Sequence, residues 1–230
     1  MSQIKVELLE TMGSDRAIAD SAWTSSSDMS KKAIKSPEDV ERVVNMLADS
    51  KHSVPFESVV MRFWIGMPIS SDRQHMTHRI ASHSGMSGRY RTMPTDFFDV
   101  PGDVLTILDK IYETKGIEYT DAYNDLCEKA NSFYLKQVMI AKDAQRSGCI
   151  TNEEFKRIRE FTRNVLPQGN MTERVTVINL RSFCNFYKLR SKADAQIEIR
   201  QIAELMMRQL KKSNICPVAL SALERNNWTI

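Results

Sequence analysis

The sequence predicts an α+β fold, a single domain with a small mixed or antiparallel sheet flanked by long helices. Two patterns carry this expectation. Val59, Met61, Phe63 and Ile65 alternate with Ser58, Val60, Arg62 and Trp64, and that period of two marks a strand with one buried face. Ile199, Ile202, Ala203, Met206 and Leu210 instead recur at helical spacing. The chain has 230 residues, 42% hydrophobic and 27% charged, which suits a soluble globular protein with a sizeable core, and one domain over 1–230 is expected.

In chain order, a first strand is expected around Ile4 to Leu9, then a loop through Ser25-Ser26-Ser27. Ser36-Pro37-Glu38-Asp39 reads as a helix start, with Ser as N-cap, Pro at the first helical position and acids in the first turn. Val40, Val43, Val44 and Leu47 continue that helix, which should end near Ser50. The strand that follows is closed by Gly66 and Pro68, and a helix is expected from Pro68 that carries Arg73 through Ser82. Gly85, Gly88, Pro94, Pro101 and Gly102 mark a loop. Helices are expected over 102–114 and 119–146, with Gly116 and Gly148 as stops. Thr151-Asn152-Glu153-Glu154 is a capping box, Phe155, Ile158, Thr162 and Val165 form the inner stripe of its helix, and Pro167 halts it. Arg174 to Ile178 reads as a short strand, and a final long helix runs from about Ala193 to Lys211.

Composition narrows the function. The formal net charge is only +3, so no polycationic surface points to nucleic acid. The four cysteines, Cys127, Cys149, Cys184 and Cys216, are far apart and form no CxxC pair, which predicts free thiols in a reducing compartment rather than a zinc site. No apolar run reaches the roughly 18 residues of a membrane span. Met1 to Glu10 is charged and lacks a signal-peptide core, so the cytoplasm is the expected location.

Two stretches concentrate chemistry. From Gln74 to Tyr90 lie His75, His78 and His83, three of the chain's four histidines, with Arg79, Ser87, Gly88 and Arg89. A loop of that composition can offer backbone N–H groups, a hydroxyl and a guanidinium to a phosphate, and it equally suits a polar helix end beside a solvated loop. The three histidines lack a carboxylate at ligand spacing, so no metal site is expected. From Asn179 to Arg190, helical spacing puts Arg181 and Asn185 on one face. Asn and Arg together can read a planar heterocycle such as a flavin or pyrimidine, though a solvated helix face has the same pattern. Arg163, near the end of its helix, also fits a cation favoured by the helix dipole. His52 stands in a turn before the strand.

Together and in this order, these segments resemble the flavin-dependent thymidylate synthase family. The family's Arg-His-Arg signature, seven residues and then Ser, reads here Thr77-His78-Arg79, residues 80–86, then Ser87-Gly88-Arg89-Tyr90. His52 with Pro55-Phe56-Glu57 resembles its His-x-x-Pro-Phe-Glu segment. Arg163-Asn164-Val165-Leu166-Pro167, followed by Asn179-Leu180-Arg181-Ser182, Asn185, Leu189-Arg190 and Ala195-Gln196, resembles its late block. The likeness covers roughly residues 45–210. It implies a homotetramer with shared sites, FAD as cofactor, dUMP as acceptor, methylenetetrahydrofolate as carbon donor and NADPH as reductant. Carried over by position, His52, Thr77, His78, Arg79, Gly85, Asn179, Arg181 and Asn185 would meet FAD. Gln74, Ser87, Gly88, Arg89, Arg163 and Arg190 would meet dUMP, with Arg190 the catalytic group at the uracil edge.

Two positions depart from the family pattern. Thr77 stands where the signature has its first Arg, and Gly85 where many members have Glu. Three readings therefore follow: a thymidylate synthase with altered flavin contacts, a pyrimidine nucleotide hydroxymethylase on the same scaffold, and a non-catalytic nucleotide-binding relative.

Overall fold

The computed structural model describes residues 3–25, 28, 31, 34–112 and 116–229. Ser26 and Ser27 of the expected serine loop, and residues 113–114 of an expected helix, lie outside them. Among the described residues there are four strands and nine α-helices, an α+β fold as predicted. The chain divides into two compact units, one of Ile4–Gly66, Arg73–Ser84 and Arg174–Ile230, the other mainly of Met67–Asp72 and Gly85–Glu173.

The first unit is built on the sheet. Strand β1 (Lys5–Met12) pairs antiparallel with β2 (Val60–Pro68), and with β3 (Ser82–Gly85) and β4 (Met171–Asn179) the strand order is β1-β2-β4-β3. The alternation read in β2 is real: Met61, Phe63 and Ile65 are fully buried while Arg62 faces solvent. Helix α1 (Asp15–Trp23) starts at a Ser14 cap, and α2 (Pro37–Asp49) at the expected Ser36 capping box with Asp39. A 3-10 turn, Val54–Ser58, leads into β2.

Helix α3 (Ile69–His75) is shorter than the expected helix through Ser82. The cause is Thr77. Its N–H and its hydroxyl both donate to the Gln74 carbonyl, at 3.2 and 2.8 Å, and so occupy the acceptor that the next helical turn needs. The chain leaves the helix there, and Ser82–Gly85 becomes a strand rather than helix and loop.

After β4, helix α7 (Leu180–Arg190) opens on Asn179, whose side-chain oxygen accepts from Ser182 N–H at 2.8 Å. Helix α8 (Ile197–Ser213) buries the predicted face, with Ile199, Ile202, Ala203, Met206 and Leu210 at zero exposure, and packs on β1. It is not the last helix. α9 (Pro217–Arg225) follows, packs on α2, and has its first N–H groups capped from a distance: the Asp15 carboxylate accepts from Val218 and Ala219 at 3.0 and 2.8 Å.

The second unit is helical: α4 (Gly102–Tyr112), α5 (Gly116–Arg146) and α6 (Asn152–Thr162), the last with the predicted Thr151–Glu154 capping box. Gly116 opens α5 rather than stopping α4. The inner stripe predicted for α6 is only partly internal, since Thr162 is buried while Ile158 and Val165 are exposed; the other buried side chain of the helix is Arg159. Side chains of α5 hold the preceding irregular segment. Tyr134 hydroxyl accepts from Met93 N–H at 2.9 Å, Asn131 donates to Thr95 carbonyl at 2.7 Å, and Tyr123 donates to Phe98 carbonyl at 2.9 Å. Each such bond is worth about 1 kcal/mol, so a loop without regular structure is still fixed in place.

Candidate functional site

The sheet unit contains a slot of about 690 Å3 whose wall is largely α7 and the turn after α3. Thr77, His78 and Arg79 line one part, and Arg181, Asn185 and Arg190 another. The Thr77–Ile80 part of the first chemistry-bearing stretch therefore meets the second, and does so within one chain: Arg190 Nε–H donates to His78 Nε2 at 2.9 Å.

That contact fixes the imidazole. A ring nitrogen that accepts cannot carry a proton, so the His78 proton sits on Nδ1. Burial first, then the Arg190 guanidinium, then His83, hold His78 neutral, with its pKa lowered to about 4. His78 also stands edge-on to the buried Phe186 ring, centroids 4.8 Å apart. His83 braces the same turn through ring contacts to Thr176 Oγ1 at 3.1 Å and His78 carbonyl at 3.3 Å. Its Nε2 must be the donor to that carbonyl, because a carbonyl oxygen can only accept. His75 lies behind, 2% exposed, with rings of Phe186 and His83 at 5.4 and 5.1 Å.

The slot is cationic. Arg79, Arg181, Lys188 and Arg190 line it against one carboxylate, Glu57, which pairs with Arg181 at 2.6 Å. Ser182 hydroxyl is buried in its wall without a hydrogen-bond partner among the described residues. Cys184 also touches the slot, but burial pushes its thiol far up, so it is a poor nucleophile there. Asn179 heads α7 as its cap. Among the described residues no group of three or more metal-ligating side chains occurs.

Within the helical unit a second cluster forms. Ser87 hydroxyl accepts from Arg89 N–H at 3.3 Å, and Ser87 carbonyl accepts from Tyr90 and Arg91 at 3.2 Å, which makes a tight turn around Gly88. Arg163, just past α6, crosses Gly88 so closely that a Cβ there would lie 3.0 Å from Arg163 Cδ and 3.1 Å from Met93. Arg89 pairs with Glu160 at 2.6 Å. Serine hydroxyl, turn amides and two guanidiniums in one place are the donor set of an oxyanion or phosphate cradle.

The remaining expected residues stand elsewhere. Gly85 ends β3. Gln74 is half-buried and its side-chain oxygen has no partner among the described residues. His52 borders a separate cleft of about 610 Å3 with Trp23, Met46, Leu47 and Pro55. Sequence reasoning missed Glu160, Lys188 and, above all, Trp228 and Thr229, which line the slot. The signal for the last two was a tryptophan in an otherwise polar run, Asn226-Asn227-Trp228-Thr229.

Comparison with known proteins adds ancestry to this geometry. The family model described as thymidylate synthase complementing protein matches residues 7–218. The chain is 32% identical over 212 residues to a flavin-dependent thymidylate synthase of Pseudothermotoga lettingae, covering 92% of this chain and 86% of the relative. It is 32% identical over 223 residues to one of Kosmotoga olearia, covering 94% and 88%. Among solved structures it is similar in fold to the UMP/dUMP methylase PolB from Streptomyces cacaoi bound with 5-Br dUMP, with a TM-score of 0.74, 24% identity, and 97% and 96% of the two chains covered.

Proposed function

Since the chain belongs to the thymidylate synthase complementing protein family, that of the flavin-dependent thymidylate synthases, we propose that the cationic slot at His78 and Arg190 is where its reaction takes place. The reaction is transfer of a one-carbon unit from methylenetetrahydrofolate to C5 of dUMP, with FAD-mediated reduction by NADPH, giving dTMP. The observation that carries the placement is the Arg190–His78 hydrogen bond, which brings Thr77-His78-Arg79 of one motif block and Arg181, Asn185 and Arg190 of the other to one cavity.

The residues present fit the cofactor. FAD is an anionic dinucleotide with two flat ring systems, and the slot offers Arg79 and Arg190 as cations, the amide of Asn185 and the Ser182 hydroxyl, which has no partner among the described residues. His78, Arg79, Arg181 and Asn185 would hold it, with Asn179 at the head of the same helix. Thr77 and Gly85, at the family's flavin positions, bring no charge. His52 is assigned to the cofactor through the resemblance alone. When bound, FAD supplies the hydride chemistry that no side chain provides.

Of the residues that the family resemblance assigns to dUMP, Ser87, Gly88, Arg89 and Arg163 in the helical unit form a cradle suited to a phosphate, while Gln74 and Arg190 belong to the sheet unit. C5 of uracil is a weak nucleophile. A guanidinium held against the ring edge stabilises negative charge as it develops, and Arg190 is pre-oriented for this by His78. No enzyme thiolate is needed, in keeping with a Cys184 thiol that stays protonated.

The two compact units act as one functional domain, and the active form is a homotetramer. Support for self-association comes from α5, 31 residues long, where Tyr119, Leu126, Phe133 and Ile140 recur every seven residues and are all exposed. The same proposal places the enzyme in the cytoplasm with no nucleic acid or membrane partner, and no described helix is long and apolar enough to cross a membrane. The test is incubation with dUMP, methylenetetrahydrofolate, NADPH and FAD, followed by mass analysis of the nucleotide. A methylated product supports the reading, and a hydroxymethylated or unchanged one overturns it.

A further inference from the structure

The slot has one wall that the family match does not reach. The match ends at residue 218, whereas Trp228 and Thr229 line the cavity. The backbone there is unusual. Asn227 and Trp228 have φ of 51° and 55°, two successive non-glycine residues in the left-handed region. Asn tolerates this conformation, but a bulky indole adopts it only under strain. Surrounding contacts offset it. Trp228 N–H donates to Leu223 carbonyl at 2.8 Å, and Thr229 N–H to Asn226 carbonyl at 3.0 Å. Lys188, on α7, donates to Thr229 Oγ1 at 2.8 Å, and the indole stands edge-on to Tyr187 at 5.1 Å.

These contacts aim a half-buried aromatic ring at a cavity rather than into the core. A flat π surface beside Arg79, Lys188 and Arg190 matches a ligand that joins a flat heteroaromatic ring to phosphates. We propose that Trp228 is a binding residue of this slot, that its indole stacks on a heteroaromatic ring of the bound dinucleotide, and that the Lys188–Thr229 hydrogen bond positions it.

The inference rests on the slot's being the FAD site. The isoalloxazine and the adenine of FAD share the recognised chemistry, and the test separates them. Titration calorimetry on the full chain compares wild type, Trp228→Phe and Trp228→Ala with FAD, FMN and ADP as probes. Trp228→Ala should weaken FAD by about tenfold, while Trp228→Phe, which keeps a flat ring, stays within about threefold of wild type. A matching loss for FMN identifies the flavin ring as the partner, and a matching loss for ADP identifies adenine. If Trp228→Ala does not fold, Trp228→Leu keeps apolar bulk against Tyr187 without the flat surface and carries the same comparison. Equal FAD affinity in wild type and the ring-free variant overturns the proposal while leaving the FAD site standing. A wild-type chain that binds no FAD overturns both.

Discussion

Arg190 donates its Nε–H to Nε2 of His78 across 2.9 Å, and this one bond ties the end of α7 to the turn after α3. It anchors the guanidinium through Nε and so restricts its plane. Arg190→Ala should therefore abolish dUMP methylation, by at least about 10²–10³-fold in kcat, with an unchanged circular dichroism spectrum. Arg190→Lys should fail nearly as badly, because an ammonium has neither the fork nor the Nε anchor. Turnover near wild type in either variant would remove Arg190 from the chemistry.

Gly88 is constrained by its neighbours. With a Cβ 3.0 Å from Arg163 Cδ and 3.1 Å from Met93, Gly88→Ala requires the Arg163 and Met93 side chains to give by a few tenths of an ångström. Overpacking of this kind costs about 1–3 kcal/mol. If it falls on the phosphate cradle, KM for dUMP rises by about tenfold while the KM for NADPH does not move. Steady-state kinetics with each substrate varied in turn checks this, and a uniform rise in both would show a general packing defect instead.

His75 and His78 predict how stability depends on pH. Burial first, then coulombic repulsion by any positive charge on His83 or His78 and by Arg174, lowers His75 to about 3, and His78 sits at about 4. The unfolded chain protonates both near 6.5, the folded chain only far below. Their neutral form is thus bound by the fold, and stability, complete above about pH 7, falls as pH drops through 6.5 toward 4. Urea unfolding at pH 7.5 and 5 should show this loss. His75→Phe, which fills the same apolar site and removes one titrating group, should flatten it. An unchanged pH slope in that variant would contradict the assignment.

Much of this site was legible in the chain because its signals are local. Capping boxes at Ser36 and Thr151, the alternation in β2 and the buried stripe of α8 each depend on residues within a few positions of one another, and all appear as read. The order of His78, Arg89, Arg163 and Arg190 likewise carried the family. What escaped was decided at a distance. A helix through Ser82 satisfies spacing, but Thr77 closes on Gln74 and the segment after it enters the sheet. Ile158 and Val165 sit at core spacing yet are exposed. Trp228 reaches the slot through a left-handed turn that no periodicity announces.

The Asp15 carboxylate shows the same kind of distant dependence in stability. It starts α1 but accepts from Val218 and Ala219 N–H at the first turn of α9, so it caps a helix some 200 residues away in sequence. Removing a cap typically costs about 0.5–2 kcal/mol, and this one serves two donors. Asp15→Ala should lower the unfolding free energy by about 2 kcal/mol, read from the urea midpoint, with activity per folded molecule unchanged. A shift under a few tenths would mean that α9 finds other acceptors.

The heptad line on α5 makes the assembly testable. Leu126, Phe133 and Ile140 are 67%, 51% and 50% exposed, and Phe161 on α6 is 68% exposed. A monomer that left such side chains in water would forgo roughly 1.5–3 kcal/mol for each one it could bury. An exact seven-residue period keeps one seam of a long helix facing a partner, and a second copy of the same seam is self-complementary under a two-fold axis. Phe133→Glu places a charge at the middle of that seam. Light scattering should show the wild type as a tetramer and the variant as smaller species, with methylation lost in proportion if the sites are shared between copies. A wild-type chain that is monomeric and active, or a Phe133→Glu chain that remains tetrameric, would place the seam outside any interface.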